Sequence, residues 1–287
     1  MVVGNFEGVL ADSGDSEKCA PRAAHCYAFA TPTWLAARLR DAGFTHLNLA
    51  NNHANDYGAD WRRHTEAAIR ELGMVPYGPL EQVAIAPVWR GGRMTLVGLV
   101  GFSTYPHAYN LLDLAASRAV VDSVRRLVDV LVVTFHGGKE GPEAVRTPDG
   151  PEFMVKEARG NLRRWARGVI DAGADAVVGH GPHVLRGVEF YNGKPIFYSL
   201  GNFLTYRGFS LDGPAAITTA LELDLDGDGR FLSAKLPPLR QIPRVGPVPD
   251  SSRAALRLMQ RVTRLDFPKT GARIGDDGTL SAPSSAP

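Results

Sequence analysis

The stretch NLANNHANDYG at residues 48–58 places asparagine, histidine and aspartate side chains directly behind an apolar segment. That segment, residues 45–49, reads as a short strand, and apolar residues at helical spacing predict a helix over residues 60–72. The polar cluster therefore lies at the carboxyl end of a strand, where open α/β sheets place their sites. Turn chemistry is the competing interpretation, but a turn built on Asn and Gly would not also need His53 and Asp56.

The composition excludes several classes of protein. The chain has 287 residues, enough for one large or two small domains, and 44% of them are hydrophobic and 22% charged. Its formal net charge is only +2 and the basic residues are scattered, so we expect no nucleic acid as partner. No run of about 18 apolar residues occurs, so we expect no membrane span in this chain.

The N-terminus, MVVGNFEGVL, starts in what reads as the middle of a strand and has no signal-peptide pattern. We therefore expect further residues upstream. A signal or anchor there would place the protein outside the cytoplasm, and without one a cytoplasmic location is expected. The two cysteines, Cys19 and Cys26, are spaced for a small disulfide loop, which would favour the outside. Two free thiols are the alternative.

The order of predicted elements indicates an α/β fold. Strands and helices alternate through most of residues 1–265, which we interpret as one domain with a β-rich C-terminal half. Residues 137–158 are rich in Gly, Pro and charge and are expected to form a loop over the site. Residues 215–225 and 230–239 predict a hairpin joined by DGDGR. The C-terminal extension, residues 266–287, is expected to be largely disordered.

Polar residues follow four predicted strands. They are Asn5 and Glu7 in VVGNFEG, Asn51, Asn52 and His53 in the opening stretch, His136 in VVTFHGG, and His180 and His183 in VVGHGPH. In a mostly parallel sheet these strand ends would converge on one edge. One histidine alone is usually structural, but four at equivalent strand ends indicate a metal site. Imidazole with carboxylate suits zinc, iron or manganese better than calcium or magnesium.

Several motifs resemble those of the CapA capsule-synthesis family, also called poly-γ-glutamate biosynthesis proteins. They are NLANNHANDYG, VVTFHGGKEG and VVGHGPHVLRGVEFYNGKPIFYSLGNFLTY, in the family's order, and GNFEG resembles its Asn-Leu-Glu-Gly block. The likeness spans residues 2 to 240. The family in turn resembles calcineurin-like metallophosphoesterases. This resemblance implies a four-layered metallophosphoesterase-like α-β-β-α sandwich around a dinuclear metal centre.

Carried over residue by residue, the resemblance implies a role for each motif residue. Glu7 resembles the carboxylate that bridges the two metals, and His183 resembles a ligand of the second metal. The remaining protein ligands of the first metal would be Asn52, His136 and His180. His53 would contact the phosphate and protonate the leaving group. The implied cofactors are one or two divalent ions per chain, Mn, Fe or Zn.

One part of the family pattern is missing. The family opens with a strand carrying a Gly-Asp block, whose Asp binds the second metal, and no residue before Glu7 supplies it. We therefore expect that the sandwich lacks its first strand and that the dinuclear site is incomplete. Asp12 and Asp15 are the nearby carboxylates, but their loop gives no reason to expect that they substitute.

A second group of residues is expected near the substrate or behind the metal ligands. Arg159 and Arg186 are candidates to hold an anionic group of the substrate by bidentate pairing, with a structural role as the alternative. Asn202 is expected to orient a metal ligand. Asp56 is expected to hydrogen-bond its loop or to orient a neighbour. The remaining candidates are Asn51 and Glu140.

These features support three hypotheses of function. The first is a CapA-like hydrolase or transferase that acts on an anionic cell-surface polymer or phosphoester, with capsule-assembly machinery as a partner. The second is a non-catalytic, metal-stabilised protein of the same fold that binds a polymer or partner. The third, an intracellular phosphodiesterase, follows from the fold likeness alone.

Overall fold

A computed structural model of the chain describes residues 1–19, 26–205 and 211–283. Within these residues there are five α-helices: α1 (Ala36–Asp41), α2 (Gly58–Glu71), α3 (Leu114–Arg125), α4 (Leu162–Asp171) and α5 (Ala254–Asp266). Short 3-10 turns precede α1 (Thr33–Leu35) and the first strand after residue 211 (Gly213–Ala216). No helix of the described residues is long and apolar enough to cross a membrane.

The strands of the described residues are short, apart from three that run for seven or more residues. In chain order they are β1 (Val3–Asn5), β2 (Val9–Leu10), β3 (Ala30–Thr31), β4 (His46–Asn48), β5 (Val75–Tyr77), β6 (Ala84–Arg90), β7 (Arg93–Ser103), β8 (Tyr109–Asn110), β9 (Val130–His136), β10 (Glu152–Met154), β11 (Glu157–Gly160), β12 (Ala176–His180), β13 (Val188–Tyr191), β14 (Lys194–Phe197), β15 (Ile217–Thr219), β16 (Glu222–Leu225), β17 (Phe231–Lys235), β18 (Pro238–Ile242), β19 (Gly246–Pro249), β20 (Arg273–Ile274) and β21 (Thr279–Ser281).

The predicted strand ends belong to two sheets. The small sheet has the order β1-β4-β5 and is parallel throughout. The large sheet has the order β13-β14-β12-β9-β7-β6; β14, β12, β9 and β7 run parallel, and β6 and β13 are antiparallel edges. The expectation of a single sheet edge is therefore wrong: Glu7 and the Asn/His loop follow the small sheet, whereas His136 and His180 end strands of the large one.

Helices cover the outer face of each sheet. Leu47 of the small sheet packs with Ile69 of α2, and Phe135 of the large sheet packs with Trp165 of α4. Each such fully buried apolar side chain stabilises the fold by roughly 1.5–3 kcal/mol. Between the sheets, Tyr77 packs against its neighbours from β6 and β7, Ala84 and Leu99.

The two sheets are in close contact where Gly101 of β7 lies beside Gly78, which follows β5. A Cβ atom at Gly78 or at Gly101 would lie 2.4 Å from Oδ1 of Asn48, closer than real contacts allow. Helices thus pack against both sheets, and the two sheets contact each other. The fold is α/β with several sheets, as predicted; its identification as a metallophosphoesterase-like sandwich stays a prediction.

The C-terminal half differs from expectation in two places. The hairpin between residues 215–225 and 230–239 is confirmed only for β16 and β17, because β15 pairs with β18 in a separate sheet. The expected disorder after residue 265 is wrong for residues 266–283: β21 pairs with both β17 and β20, and Leu280 is buried. Residues 284–287 lie outside the described residues.

The segment at residues 137–158, expected to be a loop, also contains regular structure. Its end forms β10, which pairs with β11 as an antiparallel hairpin. Arg186 is fully buried beneath this segment and binds both carboxylate oxygens of Glu152, at 2.9 and 2.7 Å. A buried ion pair with this bidentate geometry fixes the segment against the large sheet.

Candidate functional site

Glu7 lies at the point where the two sheets' strand ends meet. Its Oε1 atom is 3.9 Å from Nε2 of His53, 3.7 Å from Nε2 of His136 and 3.6 Å from Nε2 of His183. These four residues come from separate parts of the sequence, and the two sheets are needed to bring them together. His180 is the register partner of His136 on the neighbouring strand.

The polar atoms at this point include buried acceptors without hydrogen-bond partners. Among the described residues, Oε1 of Glu7, Oδ1 of Asn52 and both ring nitrogens of His136 have none. Leaving one such atom unpaired costs about 1–3 kcal/mol. Carboxylate, amide oxygen and imidazole are all ligands of divalent transition metals, so the chemistry of this donor set fits such an ion.

The site is not a preassembled metal cage. Within residues 1–19, 26–205 and 211–283, no group of three or more His, Cys, Asp or Glu side chains is arranged to hold a metal ion. Two ligands that bind one zinc ion in tetrahedral geometry lie about 3.3 Å apart. The separations of 3.6–3.9 Å around Glu7 are wider than this by a few tenths of an ångström.

The two strand-end histidines of the large sheet are held neutral. His136 is fully buried, and burial, followed by the positive charge of Arg159, lowers its pKa well below the usual range. Burial, assisted by the neighbouring His183, lowers the pKa of His180 to about 4. Neutral imidazole is the form that binds metals.

His183 is held in an unusual backbone conformation. Its φ of +61° is in the left-handed region, which costs about 1–3 kcal/mol for a residue other than glycine. The preceding Gly181 has φ +117°, and a Cβ atom there would lie 2.5 Å from the carbonyl oxygen of Gly137. Nδ1 of His183 lies 2.8 Å from Oδ1 of Asn202, the contact that the predicted orienting role of Asn202 requires.

His53 is held on several sides by protein groups. Its Nδ1 atom lies 2.6 Å from Oδ2 of the fully buried Asp56, and its ring stacks on Phe29 with centroids 4.1 Å apart. Its backbone N–H donates to Oδ1 of Asn51 over 3.1 Å. The amide of Asn51 in turn donates to the carbonyl oxygen of Phe6, next to Glu7. Asn51 and Asp56 therefore orient neighbouring groups.

The two arginines that were candidates to bind substrate pair with carboxylates of the protein. The guanidinium of Arg186 is fully buried and donates to Glu152 and to the carbonyl oxygens of Ala144 and Lys139. It is a structural residue, which was the alternative interpretation of this arginine. Removing one partner of such a buried pair costs about 3–5 kcal/mol.

Arg159 is also buried but reaches the site through a second residue. Its Nη2 atom lies 2.7 Å from Oε1 of Glu140, whose other oxygen is 3.9 Å from Nε2 of His183. The remaining donors of Arg159 bind the carbonyl oxygen of Gly138 and the hydroxyl of Tyr105. Because Arg159 is only 1% exposed, it holds Glu140 in place and does not contact a substrate directly.

The chain segment before Phe29 makes side-chain interactions that the sequence analysis missed or left open. The sulfurs of Cys19 and Cys26 form a disulfide, one of the two alternatives that their spacing allowed. Lys18, next to it, contacts Asp56, and no local sequence pattern marks this lysine. Asp12 accepts a hydrogen bond from the backbone N–H of Thr33, so it is engaged away from the four converging residues.

Comparison with known proteins assigns the family. The model of the bacterial capsule synthesis protein family PGA_cap matches residues 1–207. The PGA biosynthesis protein CapA of Bacillus subtilis (strain 168) is 33% identical over 210 residues, which cover 67% of this chain and 50% of that protein. The capsule biosynthesis protein CapA of Bacillus anthracis is 32% identical over 187 residues, 62% of this chain and 44% of that one.

The chain thus spans about half the length of the curated relatives it matches. Among solved structures, a putative 5'-nucleotidase from Staphylococcus aureus in complex with alpha-ketoglutarate aligns with a TM-score of 0.45 and 14% identity, covering 79% of this chain and 43% of that chain. The predicted resemblance to the CapA family is confirmed by the match of the family model and by the two Bacillus relatives. This chain belongs to the bacterial capsule synthesis protein family PGA_cap.

Proposed function

We propose that this protein is a metal-dependent hydrolase or transferase that acts on an anionic cell-surface polymer or phosphoester. The observation that carries the proposal is the convergence of three imidazoles on Oε1 of Glu7, at 3.6–3.9 Å. The relatives' names, which refer to capsule and PGA biosynthesis, support an anionic polymer as substrate and capsule-assembly machinery as partner. The packing of helices against both sheets supports the metallophosphoesterase-like sandwich.

The metal ligands in this proposal are the five residues that the motifs indicate. Glu7 would contribute to both ions, with His183 on the second. The first would be completed by Asn52, His136 and His180. When bound, Mn, Fe or Zn ions supply Lewis-acid activation of water and of the substrate's oxygen. The partnerless Oδ1 of Asn52 and ring nitrogens of His136 support this assignment, because the amide oxygen and one nitrogen of the neutral ring each have a lone pair that the protein does not use.

His53 is the proton donor in this proposal. Asp56 accepts the Nδ1 proton of His53 over 2.6 Å and so fixes the orientation of the ring. Nε2 is then the nitrogen that faces Glu7 and carries the proton for the departing oxygen. After that transfer the ring keeps its proton on Nδ1, and its bond to Asp56 is unchanged.

Hydrolysis of bis(p-nitrophenyl) phosphate and p-nitrophenyl phosphate tests the proposal. The purified chain is assayed with Mn²⁺, Fe²⁺ or Zn²⁺, beside His53→Asn and, as a matched control, the exposed His64→Asn. We expect turnover that is lost with chelator and with His53→Asn and retained in His64→Asn. Metal binding without turnover would contradict the enzyme and favour the non-catalytic, metal-stabilised binding protein.

A further inference from the structure

We infer that Lys18 is a positioning residue that holds His53 through Asp56, and that the Cys19–Cys26 disulfide keeps Lys18 in this place. The inference rests on the proposed function, because the proton-donating role of His53 belongs to that proposal. It adds a residue and a covalent link to the site, and it predicts that the site depends on the oxidised state of the two cysteines.

The ammonium group of Lys18 touches three groups of the His53 loop. Nζ lies 3.0 Å from Oδ1 of Asp56, 3.1 Å from the carbonyl oxygen of Asn52 and 3.2 Å from Nδ1 of His53. The side chain of Asp56 is fully buried, whereas that of Lys18 is 32% exposed. A buried carboxylate needs a countercharge, and Lys18 provides it from the solvent side.

The position of Lys18 fixes the rotation of the Asp56 carboxylate. Oδ2 accepts from Nδ1 of His53 and, over 2.7 Å, from the backbone N–H of Phe29. Lys18 pairs with the other oxygen, Oδ1. Without this ion pair only the contacts at Oδ2 hold the carboxylate, and the bond that orients His53 weakens.

The disulfide joins the two pieces of chain that hold Asp56. On one side, the hydroxyl of Ser16 and the backbone N–H groups of Glu17 and Lys18 donate to the Asp56 carbonyl oxygen, at 2.8, 3.0 and 3.2 Å. On the other side, Phe29 contacts both the carboxylate and the ring of His53. Cys19 directly follows the first piece and Cys26 lies just before the second, with Cα atoms 5.7 Å apart. Loss of the disulfide removes the covalent connection that holds these two pieces of chain next to each other.

Chemical labelling of His53 tests the inference without requiring turnover. The full chain reacts with diethyl pyrocarbonate, and peptide mass spectrometry follows His53, with exposed His64 as internal reference. We expect Lys18→Met to label His53 about tenfold faster, since a charge-assisted contact is lost. Lys18→Arg should stay near the unmodified protein, and Lys269→Met, at an exposed lysine, should match it. Equal His53 labelling in Lys18→Met, with folding checked by circular dichroism, would overturn the role of Lys18.

A Cys19→Ser, Cys26→Ser double variant tests the disulfide in the same assay. We expect His53 labelling to rise as it does in Lys18→Met, whereas unchanged labelling would overturn the role of the disulfide. If the aryl phosphates are hydrolysed, Lys18→Met should lower kcat and leave KM unchanged. A raised KM with unchanged kcat would instead make Lys18 a substrate contact and overturn the inference. If no hydrolysis is found, the proposed function fails while the labelling result still stands.

Discussion

His53 and His136 face the same oxygen of Glu7, yet their surroundings are opposite. Nδ1 of His53 lies 2.6 Å from Asp56, and Phe29 covers the ring. His136 is fully buried, and neither of its ring nitrogens has a hydrogen-bond partner among the described residues. Protein groups contact the ring of His53 on several sides, whereas the ring nitrogens of His136 lack partners, and this difference agrees with the separate roles proposed for the two histidines.

The difference follows the two sheets. The loop after β4 carries its own carboxylate, Asp56, and the segment between β2 and β3 adds a cation and a disulfide, which suits a side chain that must be oriented to transfer a proton. On the large-sheet side, the ring nitrogens of His136 have no hydrogen-bond partner among the described residues, and His183 is backed by Asn202 and Glu140, which suits side chains whose partner is an ion. Glu7 lies between the two groups.

Exchanging His53 or His136 for asparagine should give the largest effects, and the two variants should differ in whether they keep the metal. We expect His53→Asn to lower kcat on an aryl phosphate by about 10²–10⁴-fold, because general acid catalysis is lost, with bound metal unchanged. His136→Asn should lose both metal and turnover. Steady-state kinetics and elemental mass spectrometry on the same preparations measure both. If His53→Asn loses metal as fully as His136→Asn does, the division of roles is wrong.

Removing the side chain of Asn202, which contacts His183, should have a smaller effect on the site. We expect Asn202→Ala to weaken divalent metal binding by about 10–100-fold, because His183 loses the acceptor that orients its ring. Asn202→Asp keeps an oxygen at this position and serves as the matched control. Competition with a fluorescent chelator measures both affinities. Equal affinities in the two variants would show that Asn202 does not act through His183.

The smallest expected effect is the change in the free energy of unfolding with pH. The pKa values of His136, His180 and His107 are all lowered, in each case chiefly by burial, and those of His180 and His107 to about 4. Between about pH 6.5 and 4 the unfolded chain therefore binds more protons than the folded one, so stability falls as the pH falls through this window.

The expected loss from pH 7 to pH 5 is on the order of 1 kcal/mol per histidine, since His180 and His107 are partly exposed and solvent screens part of the cost. Urea unfolding of the chelator-treated protein measures it, and stability that stays level over this range would contradict the pKa shifts. His136→Asn should reduce the pH dependence, whereas the exposed His64→Asn should not.

The sequence alone predicted the strand ends well, because an apolar run that stops at Asn or His is a local pattern. The strand over residues 45–49 and the strand that ends at His136 were both found from such runs. The same locality explains the main error. Hydrophobic periodicity shows where a strand ends but not which strand lies beside it. The strand pattern therefore predicted one shared sheet edge for strand ends that belong to two sheets.

The burial of Arg186 was left open and the strand at the C-terminus was missed, for a similar reason. A buried Arg186–Glu152 pair joins residues 34 apart, and neither residue lies in a pattern that marks burial. Leu280 packs because β21 completes a sheet begun by β16 and β17, which the Pro- and Ser-rich ending concealed. Lys18 was missed because its three contacts all lie 34 or more residues away in sequence.

Metal content tests the account most directly. Elemental mass spectrometry is applied to the chain purified without chelator, beside a Glu7→Ala, His136→Ala double variant shown to be folded. The account predicts at least one Mn, Fe or Zn ion per chain in the unmodified protein and almost none in the variant. Folded, unmodified protein that holds no metal after incubation with each of these ions would contradict it.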